Sequence, residues 1–470
     1  MGGVTLSYDQ DVALIEIRHR PEEVLTAPLQ RDFLTLFDDA VANDAIKALV
    51  LVATSPSLDN AIHTADGTDN GTEPALWAIA NRIEHSSKPV VTAWHGPVWD
   101  SAVALGLASH ARIIAGDGRI QFTAIQFGLV PGGGVTQRLP RLTGMLVAID
   151  QIVSGRDVSA AHALASGLVD QIAQNDLRQE ATALARSLIG QDLRRAGSLA
   201  VSVPEPDAID AQVKPLLRRL RGQIAPAEAI RLITLAAQLD VATGVQAECE
   251  TLQQLAQSGQ SAALLVLARA EHEVAARHLT LGGHAAALKT TGVIGAGTMG
   301  AGIAVALLTA GFDVTLVESG EEALARGRER VDALLSRLVS GGRIKAQTRD
   351  ALLTRIAWST DLTALAQADL VIEAVFEDFS VKIDLLKRLE PIVRPDCVIA
   401  TNTSYLDINR MAECLNRPTR FVGMHFFSPA HVMRLLEIVR AAKTSPDTLA
   451  TALFVAKRLN KLAVIAGVCD

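Results

Sequence analysis

The chain is short of cysteine, of basic charge and of long apolar runs, and each shortage removes a class of protein. Its four cysteines, Cys249, Cys397, Cys414 and Cys469, are scattered and form no CxxC pair. That pattern points to reduced thiols in a cytosol-like compartment, and no metal site is expected. Lys and Arg number 44 against 51 Asp and Glu, a net charge of −7. A sequence-independent grip on nucleic acid needs a basic face, so no nucleic-acid partner is expected. Charges or turn residues interrupt every apolar run before it reaches membrane-spanning length, so no membrane partner is expected either. The opening residues, MGGVTLSYDQDVALIEIRH, carry acids where a secretory signal would have a basic and then an apolar run. There is no internal repeat and no low-complexity tract. A soluble intracellular protein is the expectation.

What is present is a large core. Hydrophobic residues make up 49% and charged residues 20% of 470 positions, enough for two to four domains. Residues 1–190 mix short strand-like runs with amphipathic helices. VALIEIRH alternates as a half-buried strand does, and IKALVLVATS and KPVVTAWHG read as buried strands. Residues 191–285 read as a linker and helical segment: VSVPEPDAIDAQVKPLL holds three prolines, and helices broken near Gly244 and Gly259 follow. A glycine-rich joint, LGGHAAALKTT, then leads into a new βα pattern over residues 286–470.

That pattern opens with TGVIGAGTMGAGIAVALLTAGFDVTLVES, which places Gly295, Gly297 and Gly300 between a strand and a helix. The spacing is that of a dinucleotide fingerprint. Gly295 permits the tight turn, Gly297 lets the backbone approach a pyrophosphate, and Gly300 lets the helix pack on the sheet. The helix N-terminus offers unpaired N–H groups to the diphosphate. Glu318, closing the second strand, is placed to accept from the adenosine ribose hydroxyls and to repel a 2′-phosphate, so NAD is favoured over NADP. Further on, Ser404, His425 and Glu437 follow strand-like runs and are candidates to converge at the strand ends of an open α/β sheet.

Residues 290–470 resemble the NAD-binding domain of (S)-3-hydroxyacyl-CoA dehydrogenases in the form found in multifunctional β-oxidation enzymes, through IGAGTMGAGIA, VIEAVFED, TNTS and HFFSPAHVMRLLEIV. The resemblance implies that His425 is the general base for the 3-hydroxyl proton, that Glu437 orients it, and that Ser404 hydrogen-bonds the substrate hydroxyl. It implies cofactor contacts on the nicotinamide-ribose side for Glu377 and Lys382. Family members continue beyond GVCD into a GFIxNR segment and an α-helical domain that completes the site, so this chain reads as C-terminally truncated at Asp470.

The N-terminal part resembles the crotonase fold of enoyl-CoA hydratases and isomerases, through KPVVTAWHGPV, ASHARI, FGLVPGGGVTQRLPRLTG and VSGRDVSAAHALASGLVDQI. By that resemblance the N–H groups of Ala65 and Ser101 form the oxyanion hole for a thioester oxygen. The two catalytic glutamates of the family fall on Ala104 and Ala124. Neither alanine moves a proton, and each lost acid or base costs about 10²–10⁴-fold, so hydratase and isomerase activity should be close to absent. Asp100, Asp66, His63 and His95 lie near the expected pocket. Two alternatives stay open: a different acyl-CoA reaction using Asp100 or Asp66, and a noncatalytic scaffold that binds CoA or NAD.

The expected fold class is therefore α/β: a crotonase-fold (ββα spiral) domain, a helical linker, and a Rossmann-type, doubly wound NAD-binding domain. The resemblance implies oxidation of (S)-3-hydroxyacyl-CoA with NAD as cofactor, an acyl-CoA thioester as ligand, and a homo-oligomer or a thiolase as partner. It implies a bacterial cytoplasm or, in a eukaryote, a peroxisome as the setting.

Overall fold

The computed structural model describes residues 3–18, 27–53, 75–278 and 280–468. The chain divides into two compact units, Met1–Ala270 and Glu271–Asp470.

The first unit carries β1 (Gly3–Asp9), β2 (Val12–Arg18), β3 (Ala48–Ala53), β4 (Val90–Trp94), β5 (Pro97–Trp99), β6 (Ala111–Ala115), β7 (Arg119–Gln121), β8 (Val158–Ser159) and β9 (Gln171–Ala173). One sheet runs β1-β2-β3-β4-β6-β9, and a small second sheet runs β5-β7-β8. The hairpin β1–β2 is antiparallel, and the remaining pairs of the large sheet are parallel. The VVTAW run of β4 is buried at every position, as a parallel strand covered on both faces must be.

The segment read as a linker behaves differently from that expectation. Helices Ala225–Leu235 and Val241–Ala256, and the start of Gly259–His278, are integral to the first unit. Ala225, Ala229, Leu232, Ile233, Leu255 and Leu265 join the same apolar cluster as Val103, Ala104 and Val135. The approach is close: a Cβ on Gly244 would stand 2.0 Å from Oε1 of Gln137. Each helix alone has one apolar face and no core, so it buries that face on the sheet domain.

The second unit carries β10 (Thr290–Ile294), β11 (Asp313–Val317), β12 (Ile356–Ser359), β13 (Leu370–Glu373), β14 (Val398–Thr401), β15 (Phe421–Phe426), β16 (Leu435–Val439) and β17 (Leu462–Ala466). Their order is β12-β11-β10-β13-β14-β15-β16-β17. β10 pairs in parallel with β11 on one side and β13 on the other, so the winding reverses there. That is the doubly wound arrangement, and its switch point lies at the carboxyl end of β10. β16 runs antiparallel to β15, and β17 runs parallel to β16, so these two edge strands oppose the rest of the sheet. Among the described residues no helix is long and apolar enough to cross a membrane.

Candidate active site

β10 ends at Ile294, and the glycine loop follows at the switch point. Gly295 has φ +99°, and a Cβ there would meet the Ala374 carbonyl oxygen at 2.6 Å. A Cβ on Gly300 would lie 1.7 Å from the Gly295 carbonyl oxygen, so Gly300 admits the turn itself as well as the helix behind it. Gly297 is different: its Cβ position faces open space, with no protein atom within 4 Å. It caps the helix Thr298–Thr309 without a side-chain hydrogen bond, leaving N–H groups of the first turn for a ligand. The cradle thus fits a dinucleotide diphosphate.

Glu318 follows β11 and lies beside this loop. Its carboxylate accepts from Ala296 N at 2.8 Å and from Ser319 N at 2.8 Å. Burial pushes the carboxyl up, but these N–H groups and the Ser319 hydroxyl outweigh it and hold Glu318 below the usual carboxylate range. The carboxylate is thereby held as an anion beside the glycine loop.

His425 and Glu437 are direct cross-strand partners of β15 and β16. His425 Nδ1 lies 2.7 Å from Glu437 Oε2, and His425 Nε2 lies 3.2 Å from Ser404 Oγ. The antiparallel excursion of β16 is what brings together two residues twelve apart. Ser404 is set by the loop after β14, whose N–H donates to Glu377 Oε1 at 2.8 Å, alongside the Thr403 hydroxyl. Burial raises the Glu377 carboxyl, yet the donors Thr403 and Ser404 together with the Lys382 ammonium hold it below the usual range.

Lys382 has no solvent exposure. Its Nζ sits 2.7 Å from Glu373 Oε1 and 3.1 Å from Glu377 Oε2. Sequence reasoning passed over Glu373, Asn402 and Thr403. Glu373 also accepts from Val375 N and the Thr401 hydroxyl, and Asn402 Oδ1 accepts from Phe426 N at 2.8 Å. The signal was an acid ending a wholly apolar strand, since a buried charge needs partners.

In the first unit, Ala104 has no solvent exposure, and a Cβ added at Gly133 would stand 2.7 Å from its Cβ. Ala124 is half-buried and starts a short turn of helix, Ala124–Phe127. Ser101 stands in the first turn of helix Asp100–Ala108, which has no side-chain cap, so its N–H has no partner within the helix. Ala65, Asp66 and His63 lie outside the described residues. His95 is exposed. Asp100 is half-buried with its carboxylate tip enclosed: it accepts from Thr123 N at 3.1 Å, from the Thr123 hydroxyl, and from Ala124 N at 3.4 Å. Burial pushes its carboxyl up to about 6 against the pull of those donors. Both of its oxygens are engaged in tying the helix to the Thr123 turn. Among the described residues no group of three His, Cys, Asp or Glu could hold a metal ion.

Comparison with known proteins agrees with this division. Residues 290–469 match the family described as "3-hydroxyacyl-CoA dehydrogenase, NAD binding domain". Residues 7–208 match "Enoyl-CoA hydratase/isomerase". The chain is 33% identical to the peroxisomal bifunctional enzyme of Cavia porcellus, over 99% of this chain and 65% of the relative. It is 31% identical to a peroxisomal fatty acid beta-oxidation multifunctional protein of Arabidopsis thaliana, over 99% of this chain and 67% of the relative. Against the fatty acid oxidation complex subunit alpha of Shewanella baltica it is 29% identical, over 97% of this chain and 68% of the relative. It thus spans about two thirds of the length of these relatives. The chain belongs to the multifunctional fatty acid β-oxidation enzymes, in which an enoyl-CoA hydratase/isomerase domain is joined to the NAD-binding domain of a 3-hydroxyacyl-CoA dehydrogenase.

Proposed function

We propose that this chain serves the dehydrogenase step of β-oxidation, the NAD-dependent oxidation of (S)-3-hydroxyacyl-CoA to 3-oxoacyl-CoA. The observation that carries this reading is the Ser404–His425–Glu437 relay in the same sheet as the glycine cradle. Glu437 accepts the Nδ1 proton of His425, which leaves the Nε2 lone pair facing Ser404. Ser404 holds the substrate oxygen beside that lone pair. His425 takes the hydroxyl proton as the C3–H bond breaks, and Glu437 stabilises the imidazolium that forms. NAD, when bound, supplies the acceptor for the hydride from C3. Glu377 fixes Ser404 from behind and presents an anion to the nicotinamide-ribose side.

The hydratase/isomerase unit is proposed to be deficient in both of its usual reactions. Ala104 and Ala124 hold no proton, and the engagement of Asp100 with Thr123 and Ala124 supports a structural role for it over a new acid/base role. The proposed ligand is an acyl-CoA thioester. A 3-oxoacyl thioester product is what a thiolase cleaves, so a thiolase is the proposed partner. The names of the relatives support a peroxisomal or a bacterial setting.

The test is NADH and NADPH binding by fluorescence, with oxidation of (S)-3-hydroxybutyryl-CoA by parent and His425→Gln. NADH should bind the tighter, and the variant should lose about 10²–10⁴-fold in turnover. Equal affinity for NADPH, or turnover undiminished in the variant, sinks the reading.

A further inference from the structure

The buried ammonium of Lys382 sits between two carboxylates that do different things. Glu373 ends β13 and has no solvent exposure. All of its contacts are internal: the Lys382 ammonium, the N–H of Val375, and the hydroxyl of Thr401, its register partner at the end of β14. Its own carbonyl accepts from Asn402 N at 2.8 Å, and Asn402 Oδ1 in turn accepts from Phe426 N beside His425. Glu377 lies on the open side, with a side chain 27% exposed. One of its oxygens faces Lys382, and the other receives the Thr403 hydroxyl and Ser404 N–H.

A lysine with no exposure costs too much to bury unless both charge and hydrogen bonds are matched. Here the match is made to the two strand ends that carry the active residues. We infer that Glu373 and Lys382 are a positioning pair: they fix Glu377 and the ends of β13 and β14, and so hold Ser404 against His425. On this view Lys382 acts on Ser404 through Glu377. The inference rests on the proposed relay, but it concerns geometry that exists without turnover.

The test is an NMR pH titration of the His425 imidazole, assigned by comparison with His425→Gln, in the full chain. It is run for the parent, Ser404→Ala, Glu373→Gln and Lys382→Met. A through-space effect of charge predicts opposite shifts of the midpoint in Glu373→Gln and Lys382→Met, because one removes an anion and the other a cation. A positioning role predicts that both shift in the direction of Ser404→Ala, by at least half as much. Opposite shifts, or midpoints that stay at the parent value while the melting temperature falls, overturn the inference. So does a Ser404→Ala variant with no shift at all. Should Lys382→Met fail to fold, the double variant Glu373→Gln/Lys382→Met buries no unpaired charge from this pair and takes its place, with the same criterion against Ser404→Ala. Since the readout needs no turnover, an inactive parent counts against the proposed reaction and not against this pair.

Discussion

Ala104 has no solvent exposure, and a Cβ added at Gly133 would stand 2.7 Å from its Cβ, so a glutamate placed there must displace its neighbours. Ala104→Glu should destabilise the first unit by about 1–3 kcal/mol from overpacking, with a further cost for the buried carboxyl. Ala124→Glu, at a half-buried position, should cost less; thermal melting of the two variants compares them, and equal melting points would contradict the packing argument. Asp100 gives a pH prediction. Its carboxyl is raised from 3.8 to about 6 in the fold, so the native state keeps a proton that the unfolded chain has already lost. The stability it contributes is full below about 3.8 and is lost as pH rises through about 6. Asp100→Asn should therefore gain on the parent as pH rises across that window, read by urea unfolding; a constant gap would remove the case for a raised carboxyl. The sequence made these positions legible by type, since the alanines stand in a recognisable frame. It did not reveal how closely Gly133 approaches Ala104, because the two are distant in sequence.

Element by element, the helix Val135–Thr143 shows what a sequence conceals. Glu248 reaches its N-terminal end from the helix Val241–Ala256, accepting from Gly134 N at 2.6 Å, Thr136 N at 2.8 Å and the Thr136 hydroxyl at 2.6 Å. Burial raises its carboxyl, opposed by those donors and by Arg138. In the sequence Glu248 looks like one more acid on a solvated helix face, since its partners lie 112 and 114 residues away. Glu248→Ala leaves two N–H groups buried and unpaired, at about 1–3 kcal/mol each. Denaturant unfolding should show a loss of that size, and a loss below about 0.5 kcal/mol, the range of ordinary surface substitutions, would place the residue at the surface instead. The glycine fingerprint was the opposite case. Its turn, helix and acid are local, so spacing alone singled out Gly295, Gly297, Gly300 and Glu318, which the fold gathers around the loop after β10. The His425–Glu437 pairing fell between: both residue types were visible, but the antiparallel register that joins them was not.

For the molecule as a whole, the apolar clusters respect the division into units. Those containing Trp94, Phe33 and Val12 lie within the first unit, and those containing Val293 and Ile294 within the second. The sequence suggested three parts because proline and glycine mark the ends of the helical segment. Packing makes two, because those helices have no core except the one they share. A ligand that binds one folded unit stabilises that unit by mass action. Calorimetry with saturating NADH should therefore raise one thermal transition and leave a second in place; a uniform shift of a single transition would mean that the two cores melt as one.

The cross-strand pairing of His425 with Glu437 has an evolutionary consequence. Their separation is set by the register of β15 and β16. The connection between them is anchored at Ala430, which is buried against Gly302, but Val432 and Met433 are exposed. Over generations those exposed positions can drift without disturbing the His425–Glu437 register.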